Sequence, residues 1–225
     1  ALFFLLILMS LIVFVFIGPY FTLQNPYDLA QLSILDSLMP PMSKSFEDDL
    51  FYLGTDDQGR DLVSAIIYGL RISLFVGLLS VIIALFIGIV LGIISAYFGG
   101  FIDSIIMRIA DMVLAMPSFL IALVLLSILG RGLENVIIAL VMSQWATFAR
   151  VIRSSALSEK EKDYFNSAKC LCLPQHRIIF GHLLPNCLPP IIVLSTMNLA
   201  FAITLEASLS FLGVSLPITE PSLGL

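Results

Sequence analysis

Charge is what this chain has least of. Lys, Arg, Asp and Glu make up 12% of its 225 residues, while 59% are hydrophobic. A water-soluble domain of this length needs far more charge to cover its surface, so the composition leaves the membrane class. Histidine and tryptophan are scarce too, with two residues and one. There is no H-E-x-x-H pair and no G-x-S-x-G turn, which removes the common hydrolases. No G-x-x-x-x-G-K-[ST] phosphate loop is present, so the chain is not expected to be an enzyme or to hydrolyse a nucleotide itself. No basic stripe offers itself to nucleic acid. The three cysteines, Cys170, Cys172 and Cys187, are odd in number and clustered. That excludes a disulfide framework and fits a reducing compartment on their side of the membrane. Cys170-x-Cys172-x3-His176 matches none of the common zinc spacings, so neither a metal nor a cofactor is expected.

What is there is a succession of apolar runs. Ala1–Ile17 is apolar apart from Ser10 and stops at Gly18-Pro19. It lacks the small-residue cleavage site of a signal peptide, so it reads as a clipped first span. Tyr20–Tyr52 is a polar, acidic loop, and eight of the sixteen acids lie between Asp28 and Asp61. Leu62, Val63, Ile66, Ile67 and Leu70 then recur at helical spacing. They form either a short interfacial helix or the first turns of the next span. Ile72–Ile94 runs for 23 residues without a charge, and Gly88 and Gly92 form a GxxxG pair where another helix could come close. Ile109–Leu129 is the third span, with Pro117 inside it. Asn135–Ile152 is the fourth and Cys187–Val214 the fifth, with Pro189 and Pro190 in its first turn. The fold class is an all-α polytopic membrane protein with five spans, the first cut short. Its parts are a first helix at 1–18, an extracytoplasmic loop with an interfacial helix at 19–70, and a core at 71–225 that carries a polar loop at 153–186. A sixth span is expected beyond Leu225.

The distribution of Lys and Arg orients these spans. Placing the polar loop in the cytoplasm puts Arg108, Arg150, Arg153, Lys160, Lys162, Lys169 and Arg177 inside. Lys44, Arg60, Arg71 and Arg131 then lie outside, spread over a longer length. The expected location is therefore a bacterial cytoplasmic membrane, with the polar loop facing inward and the acidic loop outward.

Polar groups within spans are functional candidates, because burying an ionisable one in lipid costs ~2.5–3.5 kcal/mol on insertion scales. Asp111, Gln144, Asn198 and Glu206 qualify as residues of a pathway or gate. The alternative for each is a hydrogen bond between helices of the bundle. Asp111 also lies three residues from Arg108 on one helix, a spacing that suits an ion pair. Glu206 has no evident partner in its own helix. The polar loop divides at Pro174. Phe165, Ala168 and Leu171 recur at i, i+3 and i+6 before it. Ile178, Ile179, Leu183 and Leu184 are the apolar positions after it, and Pro185-Asn186 is expected to stop that second helix. Two short helices folded together would make a knob, where a merely solvated loop would not place apolar residues so regularly.

Several separated motifs now fall into one order. Asp163-Tyr164-Phe165-Asn166-Ser167-Ala168-Lys169, Ile178-Ile179 and His182-Leu183-Leu184-Pro185-Asn186 resemble the EAA loop of binding-protein-dependent ABC importer permeases. Leu53–Asp61 (LGTDDQGRD) with Gly69-Leu70-Arg71-Ile72-Ser73-Leu74 is similar to the second permease of dipeptide, oligopeptide and nickel importers. Met107-Arg108-x2-Asp111, Met116-Pro117 and Glu206–Gly213 (EASLSFLG) match as well. The resemblance implies a type I ABC importer transmembrane domain that moves dipeptides or oligopeptides, with nickel or another small solute as the alternative cargo. Its implied partners are a second, homologous permease, two cytoplasmic ATPases, an extracytoplasmic substrate-binding protein and the lipid bilayer. It makes Asp163, Tyr164, Phe165, Ala168, Lys169, Leu171 and Cys172 the ATPase-coupling residues. Phe165, Ala168 and Leu171 would enter the ATPase groove, oriented by Asp163 and Lys169. The family has Gly where Cys172 stands, Ala where Ser167 stands and a basic residue at Gly181. Gly tolerates positive φ and Cys does so poorly, so the turn at Cys172 is expected to differ. From another class, an ion-coupled secondary transporter would use Asp111 and Glu206, although no internal repeat of the kind such folds show is evident.

Overall fold

A computed structural model describes residues 2–28, 32–45, 50–217 and 222–224. The described chain is mostly helical. Its helices are α1 (Leu2–Ile17), α2 (Leu62–Phe98), α3 (Gly100–Leu114), α4 (Ser118–Leu129), α5 (Leu133–Lys160), α6 (Asp163–Cys170), α7 (Gln175–Ile178) and α8 (Leu184–Phe211). A π turn at Ile179–Leu183 joins α7 to α8, so Gln175–Phe211 runs as one rod. Two short strands, β1 (Ser43–Lys44) and β2 (Leu50–Phe51), pair antiparallel within the acidic loop. The chain divides into two units, Ala1–Phe75 with Glu206–Leu225, and Val76–Leu205.

In the first unit the Gly- and Asp-rich turn before α2 is a built cap. Asp61 accepts hydrogen bonds from the Ser64 backbone N–H at 2.8 Å and the Ser64 hydroxyl at 2.6 Å. Those satisfy donors that the first turn of α2 would otherwise leave orphaned. Asp56 organises the preceding turn by accepting from the N–H groups of Gln58 and Arg60 and from Arg60 Nε at 2.6 Å. The apolar positions from Leu62 to Leu70 therefore belong to the same continuous helix as the span, not to a separate interfacial piece.

In the second unit α5 is the hub, and it is the most buried of the three long apolar helices. The GxxxG pair of α2 meets it directly. A Cβ on Gly88 would lie 2.3 Å from Phe148 Cβ and 3.0 Å from the Ala149 nitrogen, and one on Gly92 would lie 2.7 Å from the Ala149 carbonyl oxygen. Only glycine lets the two backbones approach so closely.

Two spans differ from expectation. The third is not one helix: α3 and α4 meet at 88° around Pro117. Proline lacks the N–H that would continue α3, and it pushes Met116 out of the helical region. With 12 residues, α4 reaches only ~18 Å, short of a ~30 Å hydrocarbon core. Pro185-Asn186 does not stop the second helix of the knob either. The chain widens into the π turn just ahead of Pro185 and stays helical, a common way to accommodate a proline or an extra residue. Pro189 and Pro190 consequently sit inside α8 instead of in a first turn.

Candidate functional site: a braced helical knob

The knob grows out of the end of α5. Glu159, buried in the last turn, accepts from Lys162 Nζ at 2.7 Å and from the Tyr164 hydroxyl at 2.8 Å. Burial, and then the bond to Glu159, push the Tyr164 pKa up to about 12. The phenol therefore stays a neutral donor throughout the physiological range. One acidic side chain thus pins the break between α5 and α6 from both sides.

The apolar spacing of α6 is used inward. Phe165 and Ala168 are buried within this chain, at 1% and 5% exposure, whereas Leu171 is 73% exposed and Asp163 and Cys172 are also on the surface. The side chain of Lys169 lies outside the described residues. Phe165 and Ala168 thus hold the knob together from inside, and Leu171 and Phe180 are large apolar residues it presents.

The turn that follows α6 is a Schellman-type stop. The Leu173 N–H reaches back to the Ala168 carbonyl at 3.3 Å, and Cys172 takes the left-handed position with φ +52°. That is the position where helices most often place glycine. In this chain the left-handed turn carries a side chain. Pro174 follows and opens α7.

The base of the knob carries a cluster that the motifs did not single out. Asp103, in the first turn of α3, accepts from Arg153 Nε at 2.5 Å and Nη2 at 2.6 Å, and also from the Ser95 hydroxyl. Lys160 Nζ donates to the Ala96 and Tyr97 carbonyls, at 2.5 and 3.4 Å, at the end of α2. The signal was available in the sequence as Arg150 and Arg153 one turn apart on a helix that spans. Charges so placed need partners.

The four intramembrane candidates meet different fates. Asp111 pairs across helices with Arg150, not with Arg108, and both partners are at least half exposed. Asn198 donates to the Leu194 carbonyl of its own helix at 2.9 Å. Glu206 is fully buried and accepts from Ser73 of α2 at 2.7 Å, while its other oxygen has no partner among the described residues. Gln144 is 1% exposed, and neither of its amide atoms has a partner among the described residues.

Long apolar helices and a broken span define an α-helical membrane protein. Residues 88–225 match the family model of the binding-protein-dependent transport system inner membrane component. The chain belongs to that family. It is 37% identical over 208 residues to the dipeptide transport system permease protein DppC of Haemophilus influenzae, covering 92% of this chain and 70% of that one. Identity to DppC of Alkalihalophilus pseudofirmus is 40% over 173 residues, covering 77% and 57% respectively. The oligopeptide transport system permease protein OppC of Bacillus subtilis is 35% identical over 220 residues, covering 98% and 69%. The chain thus spans between 57% and 70% of the length of these relatives.

Proposed function

We propose that this chain is a permease subunit that lines the translocation pathway of an ATP-driven peptide importer, and that its knob is the coupling element. Peptide as cargo is supported by what the relatives are named for. The knob faces the cytoplasm, as the Lys and Arg count favours, and seats in a groove of a cytoplasmic ATPase. A second, homologous permease and a second ATPase complete the pore, and an extracytoplasmic binding protein delivers the ligand. Closure of the ATPases draws the knobs together and turns the pathway outward, and the knob must be stiff at its root for that movement to reach the spans. The observation that carries this reading is the Glu159 brace, which fixes α6 to α5, together with the unbroken rod from α7 into α8.

Within the coupling surface, Leu171 makes the groove contact, flanked by Cys172 and oriented by Asp163 and Lys169. Tyr164, Phe165 and Ala168 hold the shape. Asp111, Gln144, Asn198 and Glu206 remain the pathway or gate candidates. Gln144 suits a gate because its unpaired buried amide gains partners in any conformation that opens the helices around it. Leu171→Asp should leave the chain in the membrane with its partner permease. It should also strip the ATPases from the purified complex and cut uptake about tenfold or more, the usual scale for an interface anchor. Ala168→Asp should do the same by collapsing the knob from within. Normal uptake by both variants would overturn the assignment. The unpaired Glu206 oxygen favours one rival, an ion-coupled carrier. In that case uptake would survive ATP depletion and collapse with the proton gradient.

A further inference from the structure

The polar cluster at the root of the knob ties three helix ends to one carboxylate. Asp103 opens α3, Ser95 lies in the last turn of α2, and Arg153 lies two turns before the end of α5. Lys160, one turn from the knob, closes the same corner by holding the last carbonyls of α2. The Gly99-Gly100 turn between α2 and α3 has φ +65° and +55°, and neither residue would meet an atom within 4 Å of an added Cβ. The two glycines of the turn itself are therefore not held by packing. The polar contacts of Asp103 and Lys160 span it.

Cohesion is supplied elsewhere, since Gly88 and Gly92 already hold α2 against α5 through close backbone approach. The Asp103–Arg153 pair is bidentate and only 21% and 30% exposed, so it fixes an orientation in a way that a single-point contact does not. By contrast, the Asp111–Arg150 pair is 62% and 50% exposed, and exposed pairs constrain little.

We propose that Asp103 is a positioning residue of the coupling step. It locks the last two turns of α5 to the α2–α3 corner, so that a load on the knob turns these helices together instead of bending α5 at its end. This rests on the coupling reading given above.

The test uses the complete transporter, with both permeases, the ATPases and the binding protein reconstituted in liposomes. Asp103→Asn keeps the shape of the side chain and removes its charge. The quantity read is ATP hydrolysed per peptide imported. It should rise about tenfold, within the range known for residues that transmit coupling without touching a ligand, while the amount of bound ATPase and the thermal midpoint stay near those of the unsubstituted complex. Exchanging the charges with Asp103→Arg and Arg153→Asp together should restore the ratio to within about threefold. The milder Ser95→Ala, which keeps the ion pair, should raise it about twofold. An unchanged ratio in Asp103→Asn would overturn the proposal, as would an exchange that stays as poor as the single variant in a fully assembled complex. A normal Asp103→Asn beside a defective Leu171→Asp sinks the positioning role alone. A normal Leu171→Asp sinks the coupling reading beneath it.

Discussion

Cys172 shows how much a single dihedral angle can carry. Its φ of +52° places a β-carbon where the chain normally keeps none. A left-handed conformation costs a non-glycine residue ~1–2 kcal/mol, and the Schellman bond from Leu173 to Ala168 holds it there regardless. Cys172→Gly should therefore raise the stability of the chain by about 1 kcal/mol, less whatever the more flexible unfolded chain takes back. A higher thermal midpoint in detergent checks this, and a lower one would mean that the thiol contributes something the backbone does not reveal. The sequence pointed to this residue through the glycine that relatives of the resembled family carry. It did not reveal that Cys172 itself takes up the left-handed position. Tyr164 was legible as a member of a motif, but its bond to Glu159 was not, because the partner lies on the far side of a helix break.

At the level of elements, the glycine face of α2 was readable from spacing and the helix it meets was not. GxxxG marks a face that can be approached, whereas the partner depends on how distant spans assemble. Gly88→Leu forces a side chain into Phe148 and the Ala149 backbone and should destabilise by about 1–3 kcal/mol, as overpacking does. Gly77→Ala would place its Cβ 2.8 Å from Ile203 Cγ1, a clash with a side chain and not with backbone, and should destabilise less than Gly88→Leu. Comparing the folded fraction of the two variants after mild heating separates them, and equal losses would refute the close-packing argument. The same limit explains the third span. Pro117 was visible inside it, but a proline can kink a helix slightly or break it outright. The 88° bend accompanies an α3 whose Asp103 and Asp111 pair with Arg153 and Arg150 of α5. Around Pro185 the balance went the other way. One wider turn absorbed the proline and the helix continued.

For the whole molecule, composition decided the class and the charge count proposed a sidedness that can be measured. Cys170 and Cys172 are exposed and Cys187 is buried. When the chain is expressed without ATPases, a membrane-impermeant maleimide should label the knob thiols in inside-out vesicles and leave sealed cells unlabelled. Labelling of sealed cells would invert the topology and take the coupling reading with it. Identity to known permeases extends over most of the chain, so the family was within reach of motifs alone. The unpaired amide of Gln144 was not, since a glutamine in a span looks the same in sequence whether or not it finds a partner.

The π turn between α7 and α8 has a consequence of its own. It spans Ile179–Leu183 and closes one residue later than an α turn would, so it holds one residue of slack. Removing that residue would tighten the turn to a regular helix and leave every side chain of α8 facing as it does now. The rod therefore carries one spare residue, taken up by a wider turn. At that turn the sequence can gain or lose a residue without re-phasing the helix beyond it.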